Sequence, residues 1–291
     1  MTLKAPNIDL DTAREFVKDI ALPAQPQMLM DVRKAYPDID KIAALVSRDP
    51  AIGASVLKTV NSPLFAIPKK IVKIEQAVML LGLDSVMNIV NAVLLRASLS
   101  QNIDPALLKD FWQGANDVAV AAGFIARKLR IKQADQAFLL GLFHNCAMPL
   151  MREKFDNYFD TITEAYGEHS RCLTDLEDER YQANHAIIGE HIARAWHLPN
   201  PIIAAIGSHH DLERLRMQAE EDEEIIIDTL CAVLKMAETI VGEYRALGAS
   251  ETDYEWREFG EGILRQQGLN EDDFATLSEE THEAIQEADL G

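Results

Sequence analysis

Apolar residues recur at helical spacing along almost the whole chain, and Pro or Gly interrupts them every few turns. Ala13, Phe16, Val17 and Ile20 mark one helical face before Pro23 and Pro26 break the chain, and Ile39, Ile42, Leu45 and Val46 mark the next. Asp49-Pro50 is a helix start, because Asp accepts from free amide groups and Pro suits the first helical position. Residues 74–99 read as two helices joined at Gly82, with Asp84 capping the second. Further helices are expected over 109–130, beginning near Phe111-Trp112, over Ala134 to Phe143, and over Ile225 to Val241. No stretch alternates strictly enough for a strand, and Ile225-Ile226-Ile227 sits beside a helical pattern. Short helices meeting at such breaks predict an all-α, orthogonally packed bundle.

The chain has 291 residues, nearly half of them apolar, enough for a substantial core. The first residues are charged and lack an apolar core like that of a signal peptide. The most apolar stretch, Ala77 to Leu95, carries Asp84, Ser85, Asn88 and Asn91 and does not read as a membrane span. Cys146, Cys172 and Cys231 form no CxxC pair and read as reduced thiols of a cytoplasmic protein. Charge is uneven. Residues 211–291 hold 23 acidic and 6 basic residues, which accounts for nearly all of the formal −19. That surface repels nucleic acid and anionic membrane, and it suits a basic partner.

Seven of the eight histidines lie between His144 and His210. They include His144-Asn145, His185 and the pair His209-His210. Histidines gathered on helices are the raw material of a metal site for phosphate-ester hydrolysis, and Asn145 after the first suggests a disabled one. Asn supplies a neutral carbonyl where Asp would supply the charge that holds a divalent ion. The choice is between a working metal phosphohydrolase and a helical scaffold that kept the shape without the chemistry. Adjacent helical residues point about 100° apart, which counts against His209 and His210 both facing one ion. His169, His191, His197 and His282 read as surface or packing residues.

Several stretches carry a resemblance. They are Leu22-Pro23, Ser47-Arg48-Asp49-Pro50, Val60-Asn61-Ser62-Pro63-Leu64-Phe65, Ile74-Glu75-Gln76-Ala77 and Leu80-Leu81-Gly82-Leu83. Phe111-Trp112, Ala137 through His144, Trp196-His197-Leu198-Pro199 and His209-His210 continue the series. Each is weak alone, but their order and spacing resemble the HDOD family of bacterial signalling domains, related to the HD phosphohydrolases, from about Leu22 to about Glu243. The resemblance implies an all-α, HD-domain-like bundle. An N-terminal lobe over 1–105 would pack on an HD-like lobe over 106–245, with an acidic helical appendage over 246–291. Catalytic superfamily members bind metal through an early histidine, a His-Asp pair and a late aspartate. At those places this chain has Gly114 and Ala115, His144-Asn145, and Glu238. The implied ligands are therefore His144, His185, His209, His210 and Glu238, a degenerate set for a divalent transition metal such as Zn, Fe or Mn. The resemblance further implies regulation through signalling-protein partners, and a groove between the lobes is the expected place to receive one. The alternatives are hydrolysis of a nucleotide or cyclic dinucleotide, and binding of a nucleotide ligand without turnover.

Other features are plainer. Ile39 to Asn61 imitates a helix-turn-helix, but its second helix carries a single cation, Lys58, and reads as a packing helix. Asn61-Ser62 is expected to cap a chain reversal. Lys69, Lys70 and Lys73 form a small basic loop cluster beside Phe65. Cys146 lies near His144, but an apolar setting without a third orienting group does not make a nucleophile.

Overall fold

Side-chain caps start several helices. Asp49 accepts from the amides of Ala51 and Ile52 with Pro50 at the first helical position, and Asp38, Asn184 and Asp253 cap theirs in the same way. The computed structural model describes residues 26–61, 67, 69–99, 105–167, 172–217 and 219–290. The expected helix over residues 11–20, Leu22-Pro23, Ser62 through Phe65, and His169 lie outside the described residues. Among the described residues the elements are α-helices, with one 3-10 helix and no strand, as the periodicity predicts.

The first group is α1 (Gln27–Ala35), α2 (Ile39–Val46), α3 (Pro50–Val60), α4 (Ile74–Leu81) and α5 (Leu83–Leu99). Its core is Leu29, Val32, Ile42, Val46, Val56, Val60, Val86 and Leu95. The helix-turn-helix look-alike is thus a packing unit, with Val56 and Val60 at 0% exposure. Asn61 does close a reversal. Its amide donates to the carbonyls of Leu57 and Ile71, and its carbonyl accepts from the Ile71 amide at 2.6 Å. Gly82 has φ +87°, outside the range L side chains favour. α5 starts directly at Leu83, so Asp84 lies in its first turn instead of capping it.

The second group begins with α6 (Pro105–Lys128) and α7 (Ala134–Phe143), followed by α8 (Met148–Lys154), α9 (Tyr158–Gly167) and α10 (Leu173–Tyr181). It continues with α11 (His185–Ala195), α12 (Asn200–Ser208), a 3-10 turn (Leu212–Arg216), and α13 (Asp222–Val241). α6 starts earlier than the apolar pattern suggests, because Pro105 is tolerated in a first helical turn. α6 and α7 touch backbone to backbone. A Cβ on Gly141 would stand 2.7 Å from the Ala119 Cα, so only glycine permits this approach. The approach fixes the end of α7, where His144 follows. Ser85 donates to Asp135 at 3.2 Å, and Arg33 donates to the Trp196 carbonyl, joining the first group to the second.

The chain ends in α14 (Glu243–Gly248), α15 (Tyr254–Gln266) and α16 (Glu271–Leu290). α16 buries Leu277, Thr281 and Ala284 and pairs Glu280 with Lys128 of α6 at 2.8 Å. No helix among the described residues is long and apolar enough to cross a membrane.

Candidate metal centre and its charge network

Four histidines converge from three parts of the second group. His144 follows α7, His185 opens α11, and His209 and His210 follow α12. α12 ends at Ser208, so His209 and His210 sit in a turn and both rings turn inward, their centroids 4.2 Å apart. The 100° argument for adjacent helical residues therefore does not apply to them. His144 and His185 are 0% exposed and His209 is 4% exposed.

An acceptor faces Nδ1 of every one of these rings. It is the Gly141 carbonyl for His144 (2.9 Å), Glu177 for His185 (2.7 Å), the Ile206 carbonyl for His209 (2.7 Å) and Glu255 for His210 (3.0 Å). In His185 and His209 Nδ1 thus carries the hydrogen, which leaves Nε2 as the coordinating atom, the arrangement of metal-binding histidines. His185 Nε2 and His209 Nε2 face each other at 3.3 Å. Burial lowers the pKa of both, Glu177 opposing for His185 and the neighbouring histidines adding for His209. Two neutral rings thus aim lone pairs at one point. Nitrogens about 2.0–2.1 Å from a tetrahedral ion stand about 3.3 Å apart, so this pair fits a transition metal. His185, His209 and His210 each bring a ligand atom within 4.8 Å of the other two.

His144 belongs to a second set. Its Nε2 meets Glu243 at 3.2 Å and Glu238 at 3.5 Å. Burial opposes its protonation, but Glu243 and Glu238 prevail and raise its pKa. Glu243 is held below the usual carboxylate range, because His144 and Asn145 outweigh burial. Asn145 donates to Glu243 at 3.0 Å, and its own carbonyl oxygen is buried without a partner. Glu238 is pushed up by burial, against the pull of Lys235 and His144.

Lys235 is the residue that spacing rules missed. It is 4% exposed, and its ammonium lies 2.7 Å from Glu255, 3.3 Å from Glu238 and 3.3 Å from Asp253. Burial disfavours its charge, yet Glu255, Glu238 and Asp253 raise its pKa well above the ordinary lysine value. Glu255 is held far below the usual carboxylate range, since Lys235 and His210 overcome its desolvation. The segment after residue 245 therefore supplies Asp253 and Glu255 to the buried network. Cys146, at 0% exposure, has its thiol pushed up to about 12 by burial and is no nucleophile.

The imidazoles give stability a maximum near neutrality. Below the ordinary histidine pKa of about 6.5, the unfolded chain takes protons that buried His185 and His209 refuse, so stability falls with falling pH. Above it, His144 and His210 keep protons that the unfolded chain has lost, so their contribution drains away as pH rises through their raised values. The urea midpoint of the metal-free protein is expected to peak around pH 6.5. A monotonic rise across pH 5–9 would contradict this balance.

A cleft of about 530 Å³ lies away from the histidines, between α3 and α5 on one side and α6 and α7 on the other. Lys58, Arg96, Trp112, Asn116 and Phe138 line it, and Ala288 of α16 stands at its edge. Arg96 lies over the Trp112 ring, 5.2 Å from its centroid.

An all-helical bundle with buried histidines at its α7 and α12 ends defines an HD-like protein. The HDOD domain matches residues 22–212, and the chain belongs to the HDOD family. An HDOD domain protein of unknown function from Geobacter sulfurreducens shares the fold, with a TM-score of 0.68 and 23% identity over 96% of this chain and 95% of that one. A candidate metal-dependent phosphohydrolase from Shewanella amazonensis matches with a TM-score of 0.66 and 19% identity, over 96% of this chain and 97% of that one. A candidate signal transduction protein from Marinobacter aquaeolei matches with a TM-score of 0.64 and 19% identity, over 99% of this chain and 67% of that one. In sequence, an uncharacterised protein of Treponema pallidum is 29% identical over 218 residues, which span 72% of this chain and 40% of that relative.

Proposed function

We propose that the chain is an HDOD-type regulatory module of cytoplasmic signalling that acts through protein contacts without turning over a substrate. The buried Lys235 ammonium carries this reading. It pairs with Glu238, Asp253 and Glu255 from within, a place that a hydrolytic site gives to its metal. Asn145 replaces an anionic bridge, and Glu238 is shared between Lys235 and His144. His185 and His209 are the residues that would hold one transition metal, which there would supply a structural cross-link between α11 and the turn after α12. The cleft between the first and second helix groups would receive the partner, with Arg96 and Lys58 favouring acidic side chains. The Marinobacter protein's description as a candidate signal transduction protein agrees with this role.

The second reading is metal-dependent phosphohydrolysis of a nucleotide or cyclic dinucleotide. The 3.3 Å approach of His185 Nε2 to His209 Nε2 favours it, as does the description of the Shewanella protein. Two measurements separate the readings. Purified protein supplied with Mn, Fe or Zn is expected to hydrolyse no nucleotide or cyclic dinucleotide. A cross-linked partner from native lysate is expected to be lost in Arg96→Glu. Turnover abolished by His144→Ala would overturn the regulatory reading.

A further inference from the structure

Cys172, just before α10, lies beside His210 and Glu255 in a group separate from the His144 set. Its Sγ is 3.9 Å from Glu255 Oε1, and that same oxygen is 3.0 Å from His210 Nδ1. One potential ligand atom from each residue lies within 4.8 Å of the other two. Sulfur, nitrogen and carboxylate oxygen around a tetrahedral zinc-class ion are about 3.3–3.8 Å apart, given bonds of about 2.0–2.3 Å. The observed spacings bracket that range. The Cys172 sulfur also contacts Thr174 Oγ1 at 3.2 Å, which orients it from its own helix start.

One further observation points to a ligand here. The His210 side chain is only 6% exposed, and Glu255 divides its work beside it. Oε2 stays on Lys235 at 2.7 Å, which leaves Oε1 for the group containing Cys172. A thiolate and a carboxylate together balance a divalent charge, and the ion takes the place of the His210 Nδ1 proton, so that nitrogen serves as third donor.

We propose that Cys172, His210 and Glu255 form a thiolate-containing site for a zinc-class divalent ion, beside the His185–His209 pair and distinct from the His144 set. Sulfur makes the site selective. It takes Zn²⁺ or Co²⁺ and leaves Mg²⁺ and Mn²⁺, which prefer oxygen donors. The site rests on the cluster's geometry and stands whether or not the protein proves to be regulatory, since phosphoester turnover tests the one and sulfur coordination tests the other.

Cobalt titration of the full chain reads the sulfur directly. Co²⁺ is expected to give a thiolate-to-metal charge-transfer band in the near ultraviolet that disappears in Cys172→Ser. Cys172 is half-buried, so this variant is chosen to preserve the fold, and circular dichroism verifies it. His144→Gln, in the other set, is expected to keep the band. A second readout uses thiol chemistry. Cys146 and Cys231 are buried and Cys172 is half-buried, so Cys172 is the thiol that a disulfide reagent reaches. Zn²⁺ is expected to slow that reaction at least about tenfold, and Mg²⁺ to leave it unchanged. Cobalt binding without a thiolate band, a band that survives Cys172→Ser, or a thiol that zinc does not protect would each overturn the site.

Discussion

Lys235→Met is expected to destabilise the protein by about 3–5 kcal/mol at pH 7, the scale seen when one partner of a buried ionic group is removed. Methionine matches the length of the lysine stem, so the loss is electrostatic. Glu238, Asp253 and Glu255 would face one another with side-chain exposures of 10%, 8% and 26% and no ammonium between them. Acidification relieves this by protonating the carboxylates, so the difference between variant and parent should narrow as pH falls from 7 to 5. A divalent cation should raise the melting temperature of the variant more than that of the parent, because it enters a cluster left anionic. Urea unfolding at both pH values checks the first expectations. A loss under about 1 kcal/mol at pH 7 would mean the carboxylates shed their charge by taking up protons, and Lys235 would not be the internal cation.

The helices were legible because their signals are local. Asp49-Pro50 caps α3 and Gly82 separates α4 from α5, each decided within a few residues. The histidines were legible as a cluster because His144, His185 and His209-His210 stand near helix ends marked by local signals. Their partners were not. His144 and Glu243 are 99 positions apart, and no periodicity links them. The resemblance points to Glu238 as the late acid, but Glu243 approaches His144 more closely, because Gly242 turns the chain with φ +79° and brings α14 back. Lys235 did leave a trace. Lys and Glu at 235 and 238 interrupt one face of the apolar helix α13, and charges there need buried partners. Glu177 left none, since nothing in the motif Leu176-Glu177-Asp178 distinguishes a buried acid from a surface one.

Glu177→Leu is accordingly the more informative substitution, with an expected loss of about 3–5 kcal/mol. Glu177 is 0% exposed and accepts from three buried donors. The Tyr158 hydroxyl donates to one oxygen, and the His185 amide (3.1 Å) and Nδ1 (2.7 Å) donate to the other. Leucine fills similar space but accepts nothing, and each stranded buried donor costs about 1–3 kcal/mol. Glu177→Gln separates charge from hydrogen bonding. Its carbonyl still accepts from His185, and the Tyr158 hydroxyl can rotate to accept from the new amide, so its loss should stay near about 1 kcal/mol. The same pair reports on the metal centre. With Glu177 in place, His185 holds its proton on Nδ1 and offers Nε2. Without it, the ring is free to move the proton to Nε2, where it blocks coordination. Nitrogen NMR of the His185 ring should therefore show the tautomer shift in Glu177→Leu but not in Glu177→Gln. Zinc affinity should fall by about 10–100-fold only in the former, the usual range for a partner that orients a ligand. Equal stability and equal zinc affinity in the two variants would mean that Glu177 merely fills space, and that the orientation of His185 comes from α11 alone.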